Sequence, residues 1–462
     1  MNFIDRNREI EGLDRLWETK RANLFVLYGR RRVGKTELLK QFCKKKPHLY
    51  FLAAQVKESD NLRELKFQLQ MQVDDPLLKN MEFNSWDTAL NYLASMAKTN
   101  SFIVVLDEFQ YLCEGNKALP SLIQRFWDNT GRNSRLFLVL CGSHVSFMEK
   151  KVLAEKSPLY GRRTGQLNLQ PLPYFESLHF FKGYSEKEKL LAYGIIGGIP
   201  AYLSRFNSSI SIKDNILNEM LDVQGFLYDE VDFLLRTELS TPGAYASILK
   251  SIAGGCTRLG EIAGRIGMDT TSANKYLNTL RELRLVRREV SFSEKSPEKS
   301  KKGLYYIADP FIKFWHRFVM PYRSLIQTGQ GKLIYEKFIK PYLSTYMGMQ
   351  FEEICREFCL WKGDNTFKAP FKRIGKEWSR NFDVDIVAEF IDGGYLLGEC
   401  KWWKEPVGEN VLNDLLRNIE YMPTKYRKNP VLAIFSCSGF TERLRKRAKK
   451  ENVKLISAKA MI

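Results

Sequence analysis

The run Gly29-Arg30-Arg31-Arg32-Val33-Gly34-Lys35-Thr36 constrains this chain more than any other feature. It fits G-x-x-x-x-G-K-[ST], follows the apolar segment Asn23–Tyr28 and leads into a helical pattern at Glu37-Leu38-Leu39-Lys40. A strand, a glycine-bracketed loop and a helix, in that order, make a phosphate cradle. The glycines let backbone N–H groups close around an anion at the helix N-terminus. Gly29, Arg30, Arg31, Arg32, Val33, Gly34, Lys35, Thr36 and Glu37 are therefore the expected nucleotide contacts. Lys35 is expected to neutralise the β and γ phosphates of ATP, and Thr36 to ligate Mg²⁺.

The flanking pattern is α/β. Leu24–Tyr28, Leu49–Ala53, Phe102–Leu106 and Leu136–Cys141 are continuously apolar, as strands of a parallel sheet covered on both faces should be. Helical spacing separates them, so residues 1–170 read as a doubly wound P-loop core. The third run delivers Asp107 and Glu108 at its end. Asp107 is placed as a second Mg²⁺ ligand and Glu108 as the base that activates water. The fourth runs into Ser143 and His144, of which Ser143 is favoured as the γ-phosphate sensor. Arg162 or Arg163 follows a loop and has the reach of an arginine finger, in the same subunit or in a neighbour of a homo-oligomer.

Beyond the core, residues 171–238 read as a helical lid with a break at Gly197-Gly198-Ile199-Pro200. Residues 239–309 read as a winged helix-turn-helix. Its helices start near Tyr245, Arg258 and Thr270, with Asp269 capping the third, and its wing strands are Leu285–Val290 and Gly303–Ile307. Thr271, Ser272, Asn274, Lys275 and Arg281 are its candidate nucleic-acid contacts, with Lys299, Lys301 and Lys302 in the charged loop 291–303. Residues 310–345 read as a helical linker, and 346–462 as a second α/β domain.

That last domain carries a carboxylate constellation. Alternation puts Asp383 and Asp385 on one strand face, and Glu399 and Lys401 on one face of the next strand, after a Gly393-Gly394 turn. Asp385, Glu399 and the helix residue Glu352 (or Glu353) would bind Mg²⁺ or Mn²⁺, with Lys401 orienting the attacking water. An acid followed by Glu-x-Lys on adjacent strands resembles the PD-(D/E)xK nuclease core, with Val384-Asp385 where that group has Pro-Asp. Asp385, Glu399 and Lys401 are the catalytic candidates.

Composition narrows the partners. Lys and Arg total 72 against 53 Asp and Glu, a formal charge of +19, which suits a polyanion such as nucleic acid. The longest uncharged stretch, Leu190–Leu203, contains Gly and Pro and falls short of the roughly 20 residues a membrane span needs. The opening Met-Asn-Phe-Ile-Asp-Arg has no apolar leader. The eight cysteines form no CxxC pair, so reduced thiols of a cytoplasmic protein are expected.

Several segments together carry a family resemblance: Phe3-Ile4-Asp5-Arg6 with Glu9, the loop at 29–36, Leu-Asp-Glu-Phe-Gln-Tyr at 106–111, Gly142-Ser143, Pro-Leu-Tyr-Gly-Arg at 158–162 and Gly-Gly-Ile-Pro-Ala-Tyr-Leu at 197–203. The chain resembles prokaryotic AAA/STAND-type ATPases with a C-terminal, nuclease-like DUF234 domain. The resemblance implies ATP binding and hydrolysis coupled to an output on nucleic acid. It also implies that Arg6 flanks the adenine. The expected function is a Mg²⁺-dependent ATPase coupled to a DNA-cleaving domain. The alternative is an ATP-dependent switch, or a DNA-binding regulator, whose C-terminal domain binds without cutting.

Overall fold

Apolar strands without alternation must be covered on both faces, and a parallel sheet with crossover helices does this. The computed structural model describes residues 4–239 and 241–462; Phe3 of the N-terminal motif lies outside the described residues. The strands β1 (Asn23–Tyr28), β2 (His48–Leu52), β3 (Phe102–Asp107), β4 (Leu136–Gly142) and β5 (Gly165–Asn168) form one sheet in the order β2-β3-β4-β1-β5. Every pairing in it is parallel. Placing β4 between β1 and β3 brings the carboxyl ends of all three strands to one edge. β5 is a half-buried strand of four residues with no apolar run, so sequence reading passed it over. This sheet belongs to a unit spanning Met1–Pro171; the remaining chain, Leu172–Ile462, forms a second unit.

The second unit begins with helices and reaches three of them, Pro242–Ala253, Leu259–Ile266 and Thr270–Glu282, before the antiparallel pair β6 (Val286–Glu289) and β7 (Leu304–Ile307). Asp269 caps the third helix by accepting from the Ser272 amide at 2.9 Å. Ala273, Leu277 and Leu280 are buried beneath it, while Thr271 and Lys275 are exposed. Residues 310–345, expected as a linker, include the helix Pro310–Phe318, in which Phe311, Ile312, Phe314 and Trp315 are fully buried.

A mixed sheet follows: β8 (Phe371–Trp378), β9 (Asp383–Phe390), β10 (Tyr395–Lys401), β11 (Val431–Ser436) and β12 (Lys454–Ser457), in the order β12-β11-β10-β9-β8. The β8/β9 and β9/β10 pairings are antiparallel and the other two parallel. Gly393 and Gly394 turn the chain between β9 and β10 with φ of 89° and 83°, a region open to glycine. The helix Leu343–Phe367 packs against β8, β9 and β10.

The loop after β6 is not a solvated wing along its whole length. The Phe292 amide donates to the Lys376 carbonyl of β8 at 2.9 Å. Ser293 donates through its amide and hydroxyl to the Glu377 carboxylate at 2.6 and 2.7 Å. Phe292 itself enters the core formed by Val384, Val387, Leu397 and Tyr426. Only the far half, with Lys295, Lys299, Lys301 and Lys302, is exposed. A three-residue strap thus extends the β8 edge.

Among the described residues no helix is long and apolar enough to cross a membrane, and all eight cysteines are free thiols.

Removing the strap's anchor should be costly. Phe292→Ala is expected to destabilise the second unit by about 3–5 kcal/mol, as for other buried Phe truncations, measured as a lowered denaturation midpoint. A second expectation concerns His316, which is 1 % exposed. Burial lowers its pKa to about 3, so below about 6.5 only the unfolded chain takes up the proton. Stability from this residue is present at neutral pH and is lost as pH falls, by about 2 kcal/mol at pH 5. His316→Leu should flatten the stability–pH slope between pH 6.5 and 5 relative to wild type; equal slopes would contradict this.

Candidate functional site

The loop after β1 is shaped by its glycines. Gly29 has φ of 155°, and a Cβ there would stand 2.5 Å from the Leu169 carbonyl oxygen. Gly34, with φ of 95°, precedes the helix Lys35–Cys43 and leaves that helix's first amides facing the loop. The Lys35 ammonium is folded over the same concavity, donating to the Gly29 and Arg30 carbonyls at 2.8 and 3.0 Å. Arg31 reaches the Tyr111 hydroxyl at 3.2 Å. Glu37 faces solvent and pairs with Lys40 at 3.4 Å.

Beside the loop, the end of β3 delivers Asp107, only 3 % exposed. Its Oδ2 accepts from the Thr36 hydroxyl at 3.2 Å and also from the Tyr50 hydroxyl; its Oδ1 accepts from the Glu108 amide at 2.9 Å. A hydroxyl and a carboxylate facing each other at a phosphate loop are an all-oxygen donor set that fits a hard cation such as Mg²⁺. Tyr50, on β2, was not singled out from sequence. Its strand was recognised, but nothing in its composition says that β2 lies next to β3. Burial, then the charge of Asp107 and the hydrogen bond to it, raises its pKa.

Glu108 adopts a left-handed backbone, φ 53° and ψ 46°, as the chain turns into the helix Phe109–Gly115. Such a conformation costs a non-glycine residue about 1 kcal/mol or more. It points the Glu108 carboxylate at β4, where Oε2 accepts from Ser143 at 2.7 Å. Gln110 donates to the same Glu108 oxygen and stands 3.3 Å from the Ser143 hydroxyl. The structure thus joins Glu108 and Ser143 directly and adds Gln110, which sequence reading passed over although it is two residues from Glu108. His144 instead stacks on Phe147.

Three arginines are held by contacts within the first unit. Arg162 grips Asp128 through Nε at 3.2 and 3.0 Å. Arg163 lies over the Tyr160 ring. Arg6, expected beside adenine, is 5 % exposed. Its guanidinium donates to the Val33 and Gln170 carbonyls at 3.2 and 2.6 Å and to Glu9 at 3.0 Å. It ties the N-terminal segment to the phosphate loop and to the chain leaving β5.

In the second unit, Glu352, Asp385, Glu399 and Lys401 converge from one helix and two adjacent strands. Asp385 Oδ2 accepts from the Cys400 amide at 2.9 Å, fixing β9 against β10. Lys401 donates to Glu399 Oε1. Burial, then the charge of Asp385, pushes the pKa of both Glu352 and Glu399 up. Glu399 Oε2 is buried and, among the described residues, has no hydrogen-bond partner. Glu353 is instead held by Arg287 and Arg356.

A residue not foreseen completes the group. Lys376 on β8 places its ammonium 3.1 Å from Glu352, 3.3 Å from Asp385 and 3.3 Å from Asp383. Its strand is a polar edge without apolar alternation, which hid it from sequence reading. Among the described residues no group of three or more His, Cys, Asp or Glu side chains stands ready to hold a metal ion. Glu352 and Asp385 close on a lysine instead.

The parallel sheet, its loop and the Asp107 strand end are the architecture of a P-loop ATPase. Residues 3–206 match the family described as an ATPase domain predominantly from Archaea. Residues 315–413 match DUF234, described as archaeal and bacterial proteins of unknown function. An uncharacterized protein of Methanocaldococcus jannaschii is 34 % identical over 420 residues, 90 % of this chain and 91 % of that protein. An uncharacterized ATP-binding protein of the same organism is 54 % identical over 44 residues, 10 % of this chain and 75 % of that one. A Walker-type ATPase of Pyrococcus abyssi shares the fold at a TM-score of 0.52 and 24 % identity, over 68 % of this chain and 96 % of its own. The chain belongs to the predominantly archaeal ATPase family that carries this C-terminal region.

Arg6 supplies a check on the loop's support. Arg6→Ala strips two carbonyls of a largely buried donor, so a loss of about 2–3 kcal/mol is expected, read as a lower denaturation midpoint for the first unit.

Proposed function

We propose that this ATPase hydrolyses ATP with Mg²⁺ at the Gly29–Thr36 loop and couples occupancy of that site to a C-terminal domain that acts on nucleic acid, cutting DNA. The observation that carries the reading is the Thr36–Asp107 pair at the mouth of the loop, with Glu108 and Ser143 bonded one step further along the sheet edge. Bound Mg²⁺ supplies charge neutralisation for the phosphates. Lys35 would exchange its two carbonyl partners for phosphate oxygens. Glu108 would accept the proton of the attacking water. Ser143 and Gln110 hold that carboxylate in place, so a change at the γ-phosphate reaches β4 through them. Arg162 must leave Asp128 to reach a phosphate, in its own subunit or in a neighbour of a homo-oligomer.

For the rest of the chain we read 171–238 as a lid, 239–309 as a winged helix-turn-helix and 346–462 as a nuclease-like domain. Convergence of Asp385, Glu399, Lys401 and Glu352 supports the last. In cleavage, Lys401 would orient water and the carboxylates would hold Mg²⁺ or Mn²⁺. The formal charge of +19 and the exposed Arg443, Arg445, Lys446, Lys449 and Lys450 suit phosphate contacts. A second reading, a switch whose C-terminal domain binds without cutting, is favoured by one observation: Lys376 stands where a cation would bridge Glu352 and Asp385.

Purified protein incubated with supercoiled DNA, Mg²⁺ or Mn²⁺, with and without ATP, tests this. Lys35→Ala should lower ATP hydrolysis by at least about a hundredfold, the scale of losing a charge-stabilising donor. Lys401→Ala should abolish metal-dependent cutting and leave hydrolysis intact. ATP hydrolysis without any cutting would select the switch.

A further inference from the structure

The end of β3 depends on a residue outside the loop motif. Asp107 is 3 % exposed, and a carboxylate so placed keeps its orientation through the donors around it. Two of these are hydroxyls on the same oxygen. Thr36, at the start of the helix Lys35–Cys43, donates to Oδ2 at 3.2 Å, and Tyr50, on β2, donates to it as well. The Tyr50 hydroxyl also lies within hydrogen-bonding reach of Thr36. The loop helix, the β3 end and β2 thus each supply one corner of a triangle of bonded oxygens.

We propose that Tyr50 is a positioning residue of the cation site, holding Asp107 and Thr36 in the arrangement that receives the Mg²⁺ of Mg²⁺–ATP. The inference rests on the Mg²⁺-dependent reading of the Thr36–Asp107 pair and adds to it the residue that keeps the pair aligned.

The tyrosine is anchored from below. On β2 it alternates with Leu49 and Phe51, both fully buried on the opposite face. The parallel register sets Tyr50 opposite Val105 and Leu52 opposite Asp107, so Tyr50 and Asp107 share a face, two residues apart along the strands. That offset is about 6–7 Å. A phenol ring carries its terminal oxygen that far, and a Ser or Thr at the same position would not. Beyond it the Ala53 amide donates to the Asp107 carbonyl at 3.0 Å, which ties the two strand ends together.

The chemistry of the site calls for such a brace. A hydroxyl has one proton and two lone pairs. For Thr36 to turn a lone pair to a cation, its proton must rest on a neighbouring acceptor, and Asp107 Oδ2 is in place for it. Asp107 offers that oxygen in one orientation because the Glu108 amide holds Oδ1 at 2.9 Å and the Tyr50 hydroxyl holds Oδ2. Hydrogen bonds from outside a ligand set orient the ligating carboxylates, and their loss typically costs about ten- to a hundredfold in metal affinity.

The test titrates the full chain with a fluorescent, non-hydrolysable ATP analogue, first in EDTA and then at stepped Mg²⁺ concentrations. Wild type, Tyr50→Phe, Asp107→Asn and the double variant are compared. Tyr50→Phe keeps the ring and removes one oxygen. Its metal-free affinity for the analogue should stay within about twofold of wild type, while the Mg²⁺ concentration that half-saturates the metal-dependent gain rises about tenfold. In the Asp107→Asn background the same change should add less than about twofold, because the tyrosine acts through that carboxylate. ATP hydrolysis by Tyr50→Phe should show the same rise in half-saturating Mg²⁺, with the rate restored at high Mg²⁺.

Equal loss of metal-free and metal-dependent affinity would make Tyr50 a structural support, and an unchanged Mg²⁺ requirement in the folded variant would remove it from the site; either result overturns the proposal. Should Tyr50→Phe not fold, Tyr50→Leu takes its place, and failure of both to fold also overturns the proposal, since the residue would then serve folding. The outcomes separate from those of the underlying reading. Wild type that binds the analogue with no Mg²⁺ dependence removes the Mg²⁺ reading and the proposal with it. A Mg²⁺-dependent wild type matched by Tyr50→Phe removes the tyrosine's role alone.

Discussion

A carboxylate taken out of water must find donors or give up its charge, and two such groups, Asp107 and Asp385, organise the two halves of this protein. Each sits on a strand whose neighbouring residues are apolar and buried. Asp107 is served by two hydroxyls and a backbone amide, all neutral. None of these three donors carries a charge. Asp385 is served by a backbone amide and an ammonium. The same physical requirement is thus met in one unit by neutral donors and in the other by an amide and an ammonium.

Legibility followed local chemistry. The loop at 29–36 was readable because its glycines, lysine and threonine act within eight consecutive residues, and its flanking strand and helix obey their own periodicities. Asp107, Glu108 and Ser143 were readable because strand ends announce themselves where apolar runs stop. Tyr50, Lys376 and the Asp128 partner of Arg162 were not, because each acts across strands or loops whose adjacency no local pattern encodes. Tyr50 needs the order β2-β3; Lys376 needs an edge strand with polar residues on both faces. The C-terminal carboxylates are therefore legible in sequence without the lysine that contacts them.

The strap at Ser291–Ser293 shows the same limit in another form. A Ser- and Lys-rich loop between two short strands reads as a solvated wing, and its far half is exposed. Yet Phe292 is the lone large apolar residue in that loop, and an aromatic side chain is worth more buried than exposed by about 2–3 kcal/mol. Once Phe292 enters the core beside Val384 and Leu397, its amide meets the unpaired edge of β8, and the backbone bond to Lys376 follows. An isolated aromatic in an otherwise charged loop was the available signal.

This arrangement joins three elements through short contacts within the second unit. The hairpin strand β6 carries Arg287, which bonds Glu353; Glu353 bonds Arg356; and Arg356 donates to the Asp385 carbonyl at 3.0 Å. The strap, from the same hairpin, holds the backbone of Lys376. Both routes end on the group formed by Asp385, Glu352 and Lys376, one through an ion-pair chain and one through a strand edge. Along the first, Arg356 is 9 % exposed on its side chain while Arg287 and Glu353 are each 32 % exposed, so the inner contacts are the costlier ones to separate. Along the second, the Lys376 backbone is bonded to the strap while its side chain keeps four rotatable bonds, so the ammonium is a softer coordinate than the strand beneath it.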